Sequence, residues 1–308
     1  MSPTPLVVSV PTEELAGDLA PLPEDVEVVV WPMDAAAPRD RFDMVVPPYM
    51  SMARVLERLE GVEVGLVQSQ SIGYEGVRDI LPPGLVFANA SSVHEASTAE
   101  LAVGLAIAGQ RRIGEFAQNQ AEGRWAAAYA PSLADRRVML LGYGGVGKAI
   151  AARLAGFEVE VVPVASRARV EDGVAVHGVD ELPDLLPTTE VVIASLPGGA
   201  ATRHIIDDAF MSALPDGALI VNVGRGPLID TEALVTHASR GRIRAALDVT
   251  DPEPLPADHP LWSIPGVLVV PHVGGWTSAM RPRVARLVKR QIDRMRTGER
   301  PLNVVLGG

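Results

Sequence analysis

Three polar residues in the second half of the chain, Arg225, Glu253 and His272, follow short apolar runs. An imidazole titrates near neutral pH and can exchange a proton. A carboxylate beside it orients the ring and stabilises its charged form, and a guanidinium pairs bidentately with a carboxylate. Together the three groups would bind an acid and move a proton at a neighbouring carbonyl or hydroxyl. Each alone also has an ordinary explanation, as a salt-bridged arginine, a loop acid or a turn-capping histidine.

A second candidate site is the glycine-rich turn that follows the apolar run 138–141 and precedes an alanine-rich helix. Gly142, Gly144 and Gly147 have the Gly-x-Gly-x-x-Gly spacing, with Gly145 and Val146 between them. In a dinucleotide-binding fingerprint the first glycine allows the tight turn, the second lets backbone approach a pyrophosphate, and the third lets helix and strand pack closely. The phosphates would lie at the helix N-terminus, whose free N–H groups favour anions.

Two other interpretations of this turn remain open. It is compatible with an ordinary glycine turn between a strand and a helix. It also fits the Gly-x-x-x-x-Gly-Lys part of an ATP or GTP P-loop, but that motif next requires a serine or threonine to hold magnesium. Ala149 occupies this position and has no hydroxyl.

Composition excludes several classes of function. The net charge of −11 argues against a nucleic-acid-binding surface. The chain has no cysteine, which excludes disulfides, thiolate metal sites and cysteine nucleophiles. The histidines show no ligand spacing, so we expect no metal and full activity in metal-stripped protein. With no signal peptide and no apolar run long enough to span a bilayer, we expect no membrane association and a cytoplasmic location.

Short runs of Val, Ile and Leu alternate with helical stretches, which indicates an α/β fold with parallel sheets. We predict a dinucleotide-binding domain over residues 98–274 and a substrate-binding domain over 1–97 and 275–308. Before the glycine turn, the pattern predicts a helix over 51–60 and five strands, over residues 6–10, 26–30, 44–46, 64–68 and 85–88. A further helix is predicted over 99–111, because the hydroxyl residues Ser97 and Thr98 stand ahead of it as caps do. Residues 111–137 are polar and include Trp125, which suggests an excursion away from the core.

The motifs together resemble the D-isomer-specific 2-hydroxyacid dehydrogenases, over nearly the whole chain and in the family's order. Four segments carry the resemblance: residues 142–147, 221–226 (Val-Asn-Val-Gly-Arg-Gly), 248–254, and 271–277 (Pro-His-Val-Gly-Gly-Trp-Thr). The resemblance implies two doubly wound parallel-sheet domains, with a Rossmann cofactor domain inserted into a flavodoxin-like substrate domain. It also implies a homodimer formed through a segment at about 100–137.

The resemblance assigns roles by position. Arg225 would bind the substrate carboxylate and carbonyl, His272 would exchange the proton, and Glu253 would raise the pKa of His272. Asp248 resembles the residue that holds the nicotinamide carboxamide. Other cofactor-binding positions are Leu196, Pro197, Val223, Gly224 and Gly274. The loop Ser71-Ile72-Gly73 resembles one that binds the substrate carboxylate through backbone N–H groups, and Tyr49 and Trp276 either line the substrate pocket or serve in packing.

One departure from the family pattern bears on the cofactor. The second strand of a dinucleotide-binding domain is usually followed by an acid that bonds the adenosine ribose, but here Ser166, Arg167 and Arg169 follow it. Because these side chains would accept a 2′-phosphate, we predict NADP(H) in preference to NAD(H). If the arginines are merely solvated, NAD(H) still binds.

The sequence therefore predicts an NAD(P)H-dependent oxidoreductase that interconverts 2-keto acids and D-2-hydroxy acids, acting as a reductase, with the active site in the cleft between the domains. Two alternatives remain. One is a nucleotide-sensing corepressor or scaffold on the same fold, and the other is a dehydrogenase of the formate or phosphite type.

Overall fold

A computed structural model describes residues 5–307, and the chain divides into two compact units. The terminal unit comprises Met1–His94 and Thr277–Gly308, and the central unit comprises Glu95–Trp276. The described residues do not include 1–4 and 308. These are the ends of the predicted segments 1–97 and 275–308. Each unit is built around its own sheet.

The terminal unit contains a six-stranded sheet in the order β14-β5-β4-β3-β1-β2. Its strands are β1 (Leu6–Val10), β2 (Val26–Val30), β3 (Arg41–Val45), β4 (Glu63–Gln68), β5 (Phe87–Ala88) and β14 (Val304–Leu306). The first five pair in parallel, in the flavodoxin-like order 2-1-3-4-5, and β14 joins antiparallel to β5. The helices of this unit are α1 (Glu13–Leu19), α2 (Met52–Val55), α3 (Val77–Ile80) and α10 (Met280–Arg296).

The central unit contains an eight-stranded sheet in the order β13-β12-β11-β10-β6-β7-β9-β8. Its strands are β6 (Arg137–Leu141), β7 (Glu160–Ala165), β8 (Arg169–Glu171), β9 (Val174–Gly178), β10 (Val191–Ala194), β11 (Ala218–Asn222), β12 (Ile243–Leu247) and β13 (Val267–Val269). Six of them follow the Rossmann order 3-2-1-4-5-6. The helices are α4 (Glu95–Gln110), α5 (Ile113–Ala121), α6 (Gly145–Leu154), α7 (Leu182–Leu185), α8 (Asp208–Ala213) and α9 (Thr231–Ser239).

Both sheets are of the doubly wound type, and this confirms the predicted fold class. Strand β6 shows why the central sheet is covered on both faces. Val138 and Leu140 pack into one apolar cluster, whereas Met139 and Leu141 pack into another. A strand that is apolar at every position is typical of a parallel sheet with helices on both sides.

Several elements differ from the pattern-based expectation. Helix α4 begins at Glu95, four residues before the predicted start, and Ser97 and Thr98 are buried within it instead of capping it. The predicted helix over 51–60 is α2 followed by a 3₁₀ turn over Leu56–Leu59. Leu56 and Leu59 are still buried, so the tighter turn keeps the amphipathic pattern.

Strands β8 and β9 form an antiparallel hairpin that was not predicted. Its turn is Asp172-Gly173, and both residues have positive φ, at 51° and 80°. Asp-Gly with this conformation is a preferred two-residue hairpin turn, so the signal was present in the sequence. Among residues 5–307, no helix combines the length and the apolar character that crossing a membrane requires.

Candidate active site

The parallel strands β11, β12 and β13 are neighbours, so their carboxyl ends meet at one edge of the central sheet. Arg225 follows β11, Asp248 follows β12, and His272 follows β13. Open α/β sheets bind their ligands at this edge. The sheet order thus brings together three of the residues that the sequence singled out.

His272 and Glu253 form the central pair, with Nδ1 of His272 2.5 Å from Oε1 of Glu253. This hydrogen bond raises the pKa of His272, and the opposing effects of burial and of the positive charge of Arg225 are smaller. The carboxylate engages Nδ1, and no hydrogen bond of Nε2 to another described residue is present. The ring therefore presents one nitrogen to a ligand while the other is held.

Asp248 holds the turn that carries His272. Its carboxylate accepts hydrogen bonds from the N–H groups of Val273, at 2.7 Å, and Gly274, at 3.0 Å, and its carbonyl accepts one from the N–H of His272 at 2.8 Å. His272 has a φ of 52°, in the left-handed region. Burial raises the pKa of Asp248, and this effect is larger than the lowering caused by the hydrogen bonds from Val273 and Gly274. A Cβ at Gly274 would lie 2.7 Å from Oδ2 of Asp248, so the contact needs a glycine.

Arg225 lies in a turn that Asn222 supports. The fully buried amide of Asn222 donates to the carbonyl of Arg225 at 2.9 Å and accepts from the N–H of Gly224 at 3.0 Å. A Cβ at Gly226 would lie 1.9 Å from the carbonyl oxygen of Thr250, so this turn lies directly against the segment that leads to Glu253. Sequence reasoning assigned no role to Asn222, although an amide at the end of an apolar strand is a detectable signal.

The glycine turn has the geometry that its spacing predicts. Gly142 has a φ of 113°, and a Cβ at Gly147 would lie 2.0 Å from the carbonyl oxygen of Gly142, which prevents any larger residue there. Helix α6 begins at Gly145, and the N–H of Lys148 donates to the carbonyl of the N-cap residue Gly144 at 2.9 Å. The N–H groups before it are those that a helix N-terminus offers to an anion.

Residues that follow the strands β10 and β11 lie close to this turn. A Cβ at Gly142 would lie 3.0 Å from the backbone nitrogen of Leu196, and one at Gly224 would lie 2.7 Å from the carbonyl oxygen of Leu196. Val223 is buried, whereas Pro197 is exposed. Lys148, which a P-loop would direct to phosphates, donates from Nζ to Oε1 of Glu171 instead.

The loop after β7 carries two arginines in different situations. Arg169 donates to Oε2 of Glu171 at 2.9 and 2.7 Å. Ser166 and Arg167 are exposed, and within residues 5–307 the guanidinium of Arg167 has no hydrogen bond or ion pair. Among the described residues, Arg167 is therefore the unpaired cation at this strand end, whereas the guanidinium of Arg169 is held by Glu171, which also accepts from Lys148.

The loop Ser71-Ile72-Gly73 follows β4 in the terminal unit. The N–H of Ser71 donates to Oγ of Ser69 at 2.9 Å, while within residues 5–307 those of Ile72 and Gly73 have no acceptor. Tyr49 stacks on His94 with ring centroids 5.6 Å apart. Trp276 belongs to the central unit, and 73% of its surface is exposed.

Among residues 5–307, no three or more His, Cys, Asp and Glu side chains cluster in a way that suits a metal ion. The predicted absence of a metal remains a prediction, because a metal-stripped protein has to be assayed to test it.

Comparisons with known proteins place the chain in a family. The family model for the NAD binding domain of D-isomer specific 2-hydroxyacid dehydrogenases matches residues 103–274. A glyoxylate reductase from Thermofilum pendens is 30% identical over 260 residues, which cover 81% of this chain and 76% of that protein.

Two solved structures extend the similarity over both units. A D-isomer specific 2-hydroxyacid dehydrogenase from Xanthobacter autotrophicus, in complex with NADPH and MES, is 27% identical with a TM-score of 0.79, and the match covers 98% of each chain. An NADPH-dependent glyoxylate/hydroxypyruvate reductase from Sinorhizobium meliloti, in complex with NADP and malonate, is 27% identical with a TM-score of 0.80. The match covers 99% of this chain and 97% of that one.

Proposed function

The chain belongs to the D-isomer specific 2-hydroxyacid dehydrogenases, and from this premise we propose that it reduces 2-keto acids to D-2-hydroxy acids with NADPH. The observation that carries the proposal is the hydrogen bond between Nδ1 of His272 and Glu253, beside Arg225. It stabilises the protonated imidazole, which is the form that reduction of a carbonyl requires.

Each group has one role in the proposed reaction. Arg225 pairs with the substrate carboxylate and polarises the carbonyl, and Nε2 of His272 gives its proton to the carbonyl oxygen. NADPH supplies the hydride to the carbonyl carbon when it is bound. Glu253 stabilises the charged imidazole, so the proton is available at neutral pH. In the reverse direction the neutral imidazole would take the proton from the hydroxyl.

The terminal unit contributes the substrate loop in this proposal. The N–H groups of Ile72 and Gly73, which have no acceptor among residues 5–307, bind the substrate carboxylate. Ser71 supports the loop through its bond to Ser69, and Tyr49 is the aromatic residue of this unit that we propose contacts the substrate side chain. The terminal unit thereby contributes to substrate binding, and the central unit binds the dinucleotide.

The preference for NADPH rests on Ser166 and Arg167. Both are exposed directly after β7, and no acid stands there to repel a 2′-phosphate. The similar dehydrogenase from Xanthobacter autotrophicus was solved with NADPH. Because Arg169 is paired with Glu171, we assign the 2′-phosphate contact to Arg167 first.

The 2-keto acid itself is proposed at the level of its chemical class. Relatives of the chain include glyoxylate reductases, so glyoxylate and hydroxypyruvate are the first substrates to assay. Tyr49 and Trp276 are the aromatic candidates for contact with a substrate side chain, so phenylpyruvate is assayed as well.

Steady-state kinetics test this proposal. The absorbance of NADPH and of NADH is followed with glyoxylate, hydroxypyruvate, pyruvate and phenylpyruvate, and the configuration of the products is determined on a chiral column. We expect turnover with NADPH and D products, unchanged after dialysis against EDTA. Tight nucleotide binding with no turnover would indicate a sensor or scaffold instead, and oxidation of formate or phosphite alone would indicate the other dehydrogenase type.

A further inference from the structure

A network of buried polar side chains lies beneath the substrate loop of the terminal unit. All of its members are less than 10% exposed, and they come from the ends of β4 and β5, from the segment that follows β5 and from α10: Gln68, Gln70, Asn89, His94 and Gln291. Burying an amide or an imidazole is costly unless it is hydrogen-bonded. Each of these side chains therefore needs hydrogen-bond partners within the unit.

The base of the network joins two strand ends to a helix. The side-chain amide of Gln68 donates to the carbonyl oxygens of Ser69, at 2.8 Å, and Asn89, at 3.0 Å. Its Oε1 accepts from Nε2 of Gln291 at 2.7 Å. Gln291 also bonds both the N–H and the carbonyl of Leu302. This part is hydrogen-bonded throughout, which makes it a rigid support.

His94 connects this support to the substrate loop. Its Nε2 lies 2.6 Å from the carbonyl oxygen of Gln70, and because a carbonyl only accepts, Nε2 carries the proton. The side chain of Gln70 donates to the carbonyl of Pro47 at 2.8 Å. The His94 ring also stacks on Tyr49. One imidazole thus contacts both the segment that leads into the loop and the aromatic residue of the neighbouring segment.

Asn89 holds the loop at a second point. Its Nδ2 donates to the carbonyl of Ile72 at 2.9 Å, and its Oδ1 accepts from the N–H of Ser91 at 3.2 Å. The carbonyls on both sides of Ser71 are therefore fixed by side chains, and the N–H groups of Ile72 and Gly73 are left for a ligand. Fixed donors bind a carboxylate without a further ordering cost.

We propose that His94 is a positioning residue for substrate, which sets both the backbone donors of the loop 71–73 and the ring of Tyr49. The inference rests on the proposed function of that loop. His94 does not touch the reacting atoms. It acts through Gln70 and Tyr49, so its loss weakens binding of the keto acid and leaves the dinucleotide site of the central unit unchanged.

Two substitutions in the full-length chain separate the hydrogen bond from the bulk of the ring. His94→Phe keeps a ring that can stack on Tyr49 but removes the donor to Gln70. His94→Gln restores a side-chain donor without the ring. For each protein we would measure kcat and KM for glyoxylate, the Kd for NADPH, and hydrogen exchange of peptides that cover residues 69–75. Peptides that cover residues 138–150 serve as the internal reference.

We expect His94→Phe to raise KM for glyoxylate about tenfold, which corresponds to about 1.4 kcal/mol. kcat and the NADPH Kd should change by less than about twofold, and exchange at 69–75 should become faster while the reference stays the same. His94→Gln should recover most of the protection and of the KM. A general loss of stability would instead speed up exchange in both regions.

Unchanged exchange at 69–75 in His94→Phe would overturn the inference, whether or not the protein turns over glyoxylate. So would faster exchange with an unchanged KM. If the unsubstituted protein reduces no 2-keto acid, the proposed function fails, and the exchange data alone decide whether His94 holds the loop. The two failures are thus distinguishable.

Discussion

At the scale of single residues, His272 and Glu253 give the most direct consequence for pH. The hydrogen bond raises the pKa of His272, so the protonated form persists to higher pH than in an isolated histidine. Reduction requires that form, and therefore kcat/KM for the keto acid should fall as pH rises through this pKa. Oxidation of the hydroxy acid should rise over the same range.

Replacing Glu253 by Gln removes the charge and keeps an acceptor. We expect the pKa of His272 to fall, so that the decline of reductive kcat/KM moves to lower pH. The measurement is a pH profile of kcat/KM at saturating NADPH. A profile of unchanged position in Glu253→Gln would show that another group controls the proton.

A second prediction compares two neighbouring arginines. Arg167→Ala should raise KM for NADPH about tenfold and leave KM for NADH nearly unchanged, because a charge-assisted contact to the 2′-phosphate is lost. Arg169→Ala is the matched control, since Glu171 already holds the guanidinium of that side chain. Equal effects of the two substitutions, or none from Arg167→Ala, would contradict the assignment.

At the scale of elements, the strand-turn-helix unit β6–α6 depends on one contact. Ala at position 147 would put a Cβ 2.0 Å from the backbone oxygen of Gly142, and the helix would have to move away from the strand. We expect Gly147→Ala to lower Tm and to weaken NADPH binding at least about tenfold, since overpacking a close contact costs about 1–3 kcal/mol.

Gly17→Ala is the control for that substitution. Gly17 lies within α1 of the terminal unit, outside the segment 100–137, has no heavy atom within 4 Å of an added Cβ, and adopts no positive φ. Alanine at a helical position of this kind should be neutral or stabilising by up to about 1 kcal/mol. Comparable losses of Tm and of NADPH binding in both variants would refute the close-packing argument.

The elements also show what sequence patterns can and cannot predict. β1 and β2 have the predicted bounds because their apolar runs have clear ends. The start of α4 was misplaced because Ser97 and Thr98 have the residue types of a cap, and only tertiary burial shows that they lie inside the helix. The network of Gln68, Asn89 and Gln291 joins residues more than 200 positions apart in the chain, and no local pattern reports such a contact.

At the scale of the whole molecule, we propose that two copies associate through the segment 100–137. Within it, residues 121–129 are exposed, and Trp125 and Tyr129 are 100% and 93% accessible. Exposed apolar side chains that are grouped in one segment favour a protein–protein contact there, whereas singly scattered ones need no explanation. We expect a dimer in sedimentation equilibrium at micromolar concentration.

The substitutions Trp125→Ser and Tyr129→Ser together should shift that equilibrium toward monomers, because they remove the apolar anchors of the interface. Val170→Ser is a control, since Val170 is an exposed apolar residue of the hairpin β8–β9, outside the segment. A monomeric unsubstituted protein, or a mass unaffected by the double substitution, would contradict the proposal.

The central claim is that His272 gives the proton during reduction of a 2-keto acid. The measurement that tests it most directly compares NADPH oxidation with glyoxylate by the unsubstituted protein and by His272→Ala, with the NADPH Kd determined for both. The account predicts a fall in kcat of about a thousandfold with an unchanged Kd. A His272→Ala protein that keeps kcat within about tenfold, at equal Kd, would contradict it.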